Sequence, residues 1–424
     1  MLTKLLSVAF GSFRGWLTLV ALLCVLSGAR SAHAQGSPVG LAVRIIPANA
    51  LEGFSDSLGL DADQREILKQ LHQGYRSARV KAQQEAKAQQ EEFQESMRNM
   101  DWSKPDEAQA KMREQMKKMG ELQKKAEEGL LKAEKAFFDD VRAVLNPEQD
   151  ARWEKGQRWM RRFDASRFGV MAGSMADVTE LAKDAGIERT GEVGALLDRY
   201  EEEVDVAIQG WRGSLESISG AMSAAMEDPM SAEEKVGKFI EDLFTNSHKV
   251  REVNRRTVRQ LKDLAGEEKG AKVQEAFLAK SYPLVYGQRR VDKIMGPFLE
   301  GGDRFEALPN EQRSEVKILG ESHHRDMAII RGNLARGIDE EQEKILKNAR
   351  AMMGGPIVED GSLFKASRVS RDELEAKTLD RLKAIVGEPA FEDAKKGTKA
   401  DPTGEDDELI GNFDWLEEEE AEPE

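Results

Sequence analysis

The chain has 424 residues, 33% of them charged and 6% aromatic, with 12 prolines and a formal net charge of -15. That acidic excess argues against nucleic acid as the main partner, since phosphate binding needs clustered Lys and Arg. The single cysteine is Cys24, so the chain beyond it is not built on disulfides, thiolate metal sites or thiol catalysis.

In chain order, residues 1–34 read as a Sec-type signal peptide. Lys4 and Arg14 supply the basic start, Trp16 to Leu26 the apolar run, and Ala32-His33-Ala34 a cleavage site with cutting expected after Ala34. The apolar run is short for a membrane span, and Leu22-Leu23 ahead of Cys24 speaks against a lipoprotein anchor. Cleavage removes Lys4, Arg14 and Arg30 and no acid, leaving a charge of about -18 by whole-chain bookkeeping. The expected location is periplasmic or secreted, with no stable membrane span. Residues 35–56, with scattered apolar positions and Pro47, read as an N-terminal tether.

A first helical unit is expected over 57–170. Leu58, Leu60, Ile67, Leu68, Leu71 and Tyr75 follow a three-four spacing and form one apolar stripe. From Arg76 to Arg98 Gln, Glu, Lys and Ala dominate, which predicts an exposed helical arm. Asp101-Trp102-Ser103-Lys104-Pro105 breaks the pattern, with Pro105 suited to the first turn of a second arm from Asp106 to about Leu145. Arms of about 40 residues reach about 60 Å. A further helix is expected through Trp153 and Trp159.

One short phrase recurs: leucine, three mostly polar residues, glutamine. It reads Leu60-Asp61-Ala62-Asp63-Gln64, Leu145-Asn146-Pro147-Glu148-Gln149 and Leu308-Pro309-Asn310-Glu311-Gln312. Each copy has the chemistry of a helix start, with a capping residue, an early acid and a glutamine that can close a capping box. Helix-start leads at Leu60, Ile187 and Leu308, prolines at Pro105, Pro229 and Pro356, and closing segments around Leu145, Leu264 and Val386 all advance by roughly 120 residues per step, as in a repeat. The expected fold is all-α, with long helical hairpins in about three repeated units at 57–170, 171–297 and 298–397; Gly191 stands in the glutamine's place in the second. Residues 398–424 hold twelve acids against Lys399 and are expected to be disordered. Their Phe413, Trp415 and Leu416 leave two readings open, a solubilising tail or a docking motif that acts as an internal plug.

Residues 58–157 resemble the Spy/CpxP-type periplasmic proteins, named for an LTXXQ motif. The resemblance rests on the first two phrases and the polar hairpin between them, and covers about a quarter of the chain; the motif's threonine is replaced by Asp61, Asn146 and Pro309. It implies an all-helical, ATP-independent periplasmic chaperone, an envelope-stress modulator or a metal-responsive sensor, usually built as single units that pair into a basic cradle. The expected partners are then unfolded or specific envelope proteins, with no cofactor, no enzyme activity and a homodimer left open. The acidic charge of this chain departs from that pattern.

Two groups of residues suit client binding. Met112, Met116 and Met119 stand in helical step, following Met97 and Met100, and flexible thioethers adapt to irregular apolar partners; equally, they can fill the hairpin seam. Lys155, Arg158, Arg161, Arg162 and Arg167 cluster beside Trp153, Trp159 and Phe163, either to capture acidic clients or as a solvated face. The histidines left after the signal are His72, His248, His323 and His324. Adjacent helix positions point about 100° apart, so His323 and His324 do not form a chelating pair, and no metal is expected. Phosphate-loop, haem-attachment, metalloprotease and nucleophile-elbow motifs are absent from the sequence. The alternative to a chaperone is a helical scaffold binding one envelope partner through Phe413-Asp414-Trp415-Leu416.

Overall fold

A computed structural model describes residues 46–98, 105–166, 170–227, 229–347 and 362–396, together with Thr398. The expected signal peptide, Pro356, Arg167 and the tail residues Phe413, Trp415 and Leu416 lie outside the described residues, as do the side chains of Met112, Met116 and Met119. The fold is all-α, with no strand among the described residues.

The first hairpin opens with α1 (Ala50–Leu58), followed by two long helices, α2 (Ala62–Arg98) and α3 (Pro105–Ala143), the single turn α4 (Pro147–Asp150) and α5 (Trp153–Ala165). Its core contains Ile46, Phe54, Leu58, Leu68, Tyr75, Phe137, Phe138, Val141 and Met160. Phe54, wholly buried, meets the rings of Phe138 and Trp153 edge-on at 6.0 and 6.2 Å. Burying one such ring stabilises by about 2–3 kcal/mol. The expected tether is corrected here: Ile46 and α1 belong to the core. Ala50, Leu51, Phe54, Ser55 and Leu58 are buried on one helical face, a period that a reading of "scattered" apolar residues overlooked.

The second hairpin follows the same order: α6 (Val178–Asp184), α7 (Gly191–Glu227), α8 (Pro229–Leu264) and α9 (Glu267–Ser281). Pro229 opens α8 as Pro105 opens α3, the helix position that tolerates a missing N–H. Leu197, Tyr200, Val204, Ile208 and Trp211 of α7 share a core with Ile240, Leu243, Val250, Val258 and Leu261 of α8. Tyr200 is buried; its hydroxyl accepts from the Val178 N–H and donates to Asn254, both at 3.1 Å.

After the single turn α10 (Pro283–Tyr286), the third hairpin comprises α11 (Arg290–Met295), a 3-10 turn at Gly296–Phe298, α12 (Asn310–Lys347), α13 (Ser362–Val386) and α14 (Glu388–Lys395). The expected boundary at 297/298 is corrected as well: Ile294, Met295 and Phe298 are buried together against Leu308, Val316, Leu382 and Phe391. The unit therefore begins at α11. The units also touch. Helix α5 packs on α7, and the far half of α12 lies against the second hairpin, with Leu334, Ala335 and Ile338 on Ala172, Tyr282 and Val285.

Candidate functional site

The first phrase does more than start a helix. Gly59 closes α1 at φ +72°, where a side chain would be strained. The Leu60 N–H donates to Ser55 O at 3.0 Å and the Gly59 N–H to Asp56 O at 3.2 Å, the Schellman pattern, in which Leu60 is the apolar residue after the cap. Asp61 then caps α2: the Gln64 N–H donates to Asp61 Oδ1 at 2.9 Å, and the Asp61 N–H to Gln64 Oε1 at 3.1 Å. Asn146 and Gln149 repeat this box at 2.9 and 3.0 Å.

The two glutamines, 85 residues apart, also bind each other. Gln64 Nε2 donates to Gln149 Oε1 at 2.8 Å and to Val144 O at 3.0 Å. Gln149 Nε2 donates to Gln64 Oε1 at 2.6 Å and to Gly59 O at 3.0 Å. Val144 and Gly59 each precede their phrase's leucine, so the two copies meet as a reciprocal pair. Both amides use two donors and two acceptor sites, their full capacity. This clasp ties the start of α2 to the end of α3. Gln64→Ala and Gln149→Ala should each cost about 1–3 kcal/mol, the range for stranding buried polar groups. Urea midpoints of both single variants and the double should reveal a coupling of about 1–2 kcal/mol; additive losses would mean that the amides act separately.

The other hairpins close at the same place with different chemistry. The closing helices α4, α9 and α14 are preceded by Asn146, Gly266 and Gly387, 120 and 121 residues apart. At the third position of the first, Gln149 reaches Gly59 O; at that of the second, Lys269 Nζ donates to Gly186 O at 2.6 Å. Gly186, at φ +68°, ends α6 as Gly59 ends α1, and the Ile187 N–H donates back to Ala182 O at 2.9 Å. At that position in the third hairpin, Ala390 O accepts from Arg304 at 3.2 Å. Gln312 finds no clasp partner among the described residues. Pro309 stands in Asp61's place and offers neither an N–H nor a side-chain acceptor. One tie is shared instead: Arg65 Nε donates to Leu60 O at 3.0 Å, and Arg313 Nε to Leu308 O at 2.8 Å. Leu60, Leu145 and Leu308 all sit at these bases, Leu60 and Leu308 being buried and Leu145 half-buried.

Above the clasp the first hairpin changes character. Burial reaches Tyr75 in α2 and resumes at Leu130 in α3; between them the described side chains are exposed or half-buried. The apolar Val80 and Leu131 sit exposed at the root of the arms. Met112, Met116 and Met119 fall on the α3 arm.

The basic cluster of α5 divides. Lys155 is exposed, and Arg158 reaches Glu202 of α7 at 3.4 Å. Arg161 and Arg162 are committed within the fold. Arg161 Nε donates to Asp205 at 2.6 Å, while Arg162, 3% exposed, lies 3.3 Å from both Asp177 and Glu201. Arg189 also binds Glu201, at 2.7 Å. Burial pushes the Glu201 carboxyl up, but the Arg189 hydrogen bond and the charges of Arg162 and Arg189 outweigh it, leaving the carboxyl below its ordinary value. These arginines join the first hairpin to the second. Their aromatic neighbours pack too: Trp153 lies on the core, and Trp159 stacks on Phe163 at 5.2 Å.

His72 faces Ile46 O at 2.7 Å, and His323 faces Thr378 Oγ1 at 2.9 Å; burial lowers both imidazole pKa values. Among the described residues there is no group of three or more His, Cys, Asp or Glu that could hold a metal, and no helix long and apolar enough to cross a membrane. No family model, curated protein or solved structure matches this chain.

The sequence alone did not reveal the glutamine pair, Lys269 or Arg304. The signal that could have found Lys269 is positional: it stands three residues after the cap of its closing helix, as Gln149 does.

Proposed function

We propose that this chain is an exported, non-catalytic protein-binding protein of the cell envelope, acting as an ATP-independent chaperone or stress modulator. The observation that carries this reading is a hairpin fastened at its base, with a long polar arm beyond. Helices α2 and α3 are held together over 62–75 and 130–143 by the core and the glutamine clasp. The remaining 23 and 25 residues extend about 35 Å past that base. A fixed root with a weakly apolar arm suits transient contact with many unfolded chains, and methionines on the arm adapt to differing partners. The recurring order of the hairpins, with closing helices 120 and 121 residues apart, further supports copies of one unit, the first carrying the LTXXQ-like clasp.

The test is aggregation suppression by the mature protein, without ATP, on two unrelated unfolding clients. Near-stoichiometric protection of both is expected. Met112→Ser, Met116→Ser and Met119→Ser combined should weaken it several-fold at unchanged helicity, because adaptable apolar contact is lost. Protection of neither client would overturn the proposal.

A further inference from the structure

The solvent face of α12 carries an unusual ladder. Ile318, Arg325, Ile329 and Arg336 fall within about 20° of one line on the helix. All four are exposed, both isoleucines at 64%. The opposite face, through Val316, Leu319, His323, Met327 and Leu334, is buried, so the ladder is not part of that core. Arg325 has only its neighbour Asp326 at 4.0 Å as a described carboxylate contact, and Arg336 bonds the Asn333 side chain. Glu311 and Glu315 lie at the N-terminal end, Glu321 at the flank and Glu340 one turn beyond Arg336, so the exposed line from Arg325 to Arg336 carries two arginines with one acid, Asp326, beside them.

We propose that residues 405–420 of this same chain dock on the ladder. The segment is complementary in charge and pattern. Leu409, Phe413 and Leu416 recur at the spacing of one helical face, between Glu405 to Glu408 on one side and Glu417 to Glu420 on the other. Its point of departure is close. Thr398 accepts from Arg290 at 3.5 Å, and Asp292, on the same short helix α11, lies 3.5 Å from Arg331 and 3.9 Å from His323 of α12. The chain thus leaves at the height of the ladder's middle, from the side of α12 turned about 140° away, and passes round the helix to reach it. Fifteen residues from Thr398 to Phe413 span up to about 50 Å, whereas the ladder is about 27 Å long. Isoleucines take the apolar side chains and arginines the carboxylates. This contact does not depend on what the arms bind.

Disulfide trapping tests it in the mature full chain, which keeps no cysteine if the signal is removed after Ala34. Gly332→Cys adds a side chain with no atom within 4 Å and is paired with Asn412→Cys. Val206→Cys, 72% exposed on α7, paired with Asn412→Cys, is the control. An intramolecular disulfide should form at least about tenfold faster in the Gly332 pair, through the higher effective concentration of a docked segment. Arg325→Glu with Arg336→Glu, or about 0.5 M salt, should remove the advantage by abolishing or screening the charges. Equal rates in the two pairs, or no effect of the arginine changes, would overturn the proposal. Disulfide-linked dimers instead of an internal bond would also overturn it, assigning the face to a second copy.

Discussion

Replacing Arg162 with methionine is expected to cost the fold about 3–5 kcal/mol, the usual penalty for removing one partner of a buried ion pair. The arginine lies between Asp177 and Glu201, whose side chains are only 9% and 8% exposed. Glu201 keeps Arg189, but Asp177 is left with its capping bond to the Thr179 N–H. Loss should start at the contact of α5 with α7, separating the first two hairpins before either core melts. Urea unfolding followed by far-UV dichroism checks the size; hydrogen exchange in α5 and α6 checks the place. Adding Asp177→Asn and Glu201→Gln should recover much of the loss, since the stranded charges are then gone. Acid sensitivity changes with it. A carboxyl held below its ordinary value stabilises the fold above about pH 4.3 and loses that contribution as pH falls through the folded value. Without Arg162 the Glu201 pKa moves closer to that of the unfolded chain, so stability should fall less steeply on acidification. An unchanged acid profile would mean that Arg162 does not set the charge of this junction.

The second large effect is expected at Gly156. A Cβ there would stand 2.8 Å from Leu58 Cδ2 and 3.0 Å from Phe54 Cε2, where α1 crosses α5. Gly53 meets Trp159 across the same crossing, with a Cβ position only 2.1 Å from Cζ2. Gly156→Leu should force α1 off α5 and cost about 3 kcal/mol or slightly more, at the upper end of overpacking. Its sequence neighbour Lys155, exposed, should accept leucine within about 0.5 kcal/mol. Tryptophan fluorescence during urea unfolding reports the difference, since Trp153 and Trp159 flank the crossing. Equal effects at the two positions would mean that the crossing is loose enough to admit a side chain.

These sites mark what the sequence could and could not disclose. Long helices, opening prolines and capping boxes are local, so period and composition reveal them in residues such as Leu68, Tyr75, Pro105 and Pro229. The partnership of Gln64 with Gln149 is not local. Each glutamine reads as a cap on its own helix, and only the return of α3 beside α2 brings the amides together. Arg161 and Arg162 look like any solvated cationic run until α7 supplies Asp205 and Glu201. In the tether, Ala50, Leu51 and Phe54 had the right spacing, but Pro47 and the intervening Glu52 and Gly53 masked it. For the third phrase the letters matched, whereas Pro309 removed the groups that make the match useful.

The clasp has a consequence for how such a chain can change over time. Among the described residues, the buried side chains that pack α2 against α3 lie between the clasp and the level of Tyr75 and Leu130. Matched insertions or deletions of whole heptads in the two arms would therefore alter reach without disturbing the root, in the way that a hinge is indifferent to the width of its door. Arm length is thus a quantity that drift or selection can adjust separately from the fold, and relatives with longer or shorter arms need share only the residues at the base.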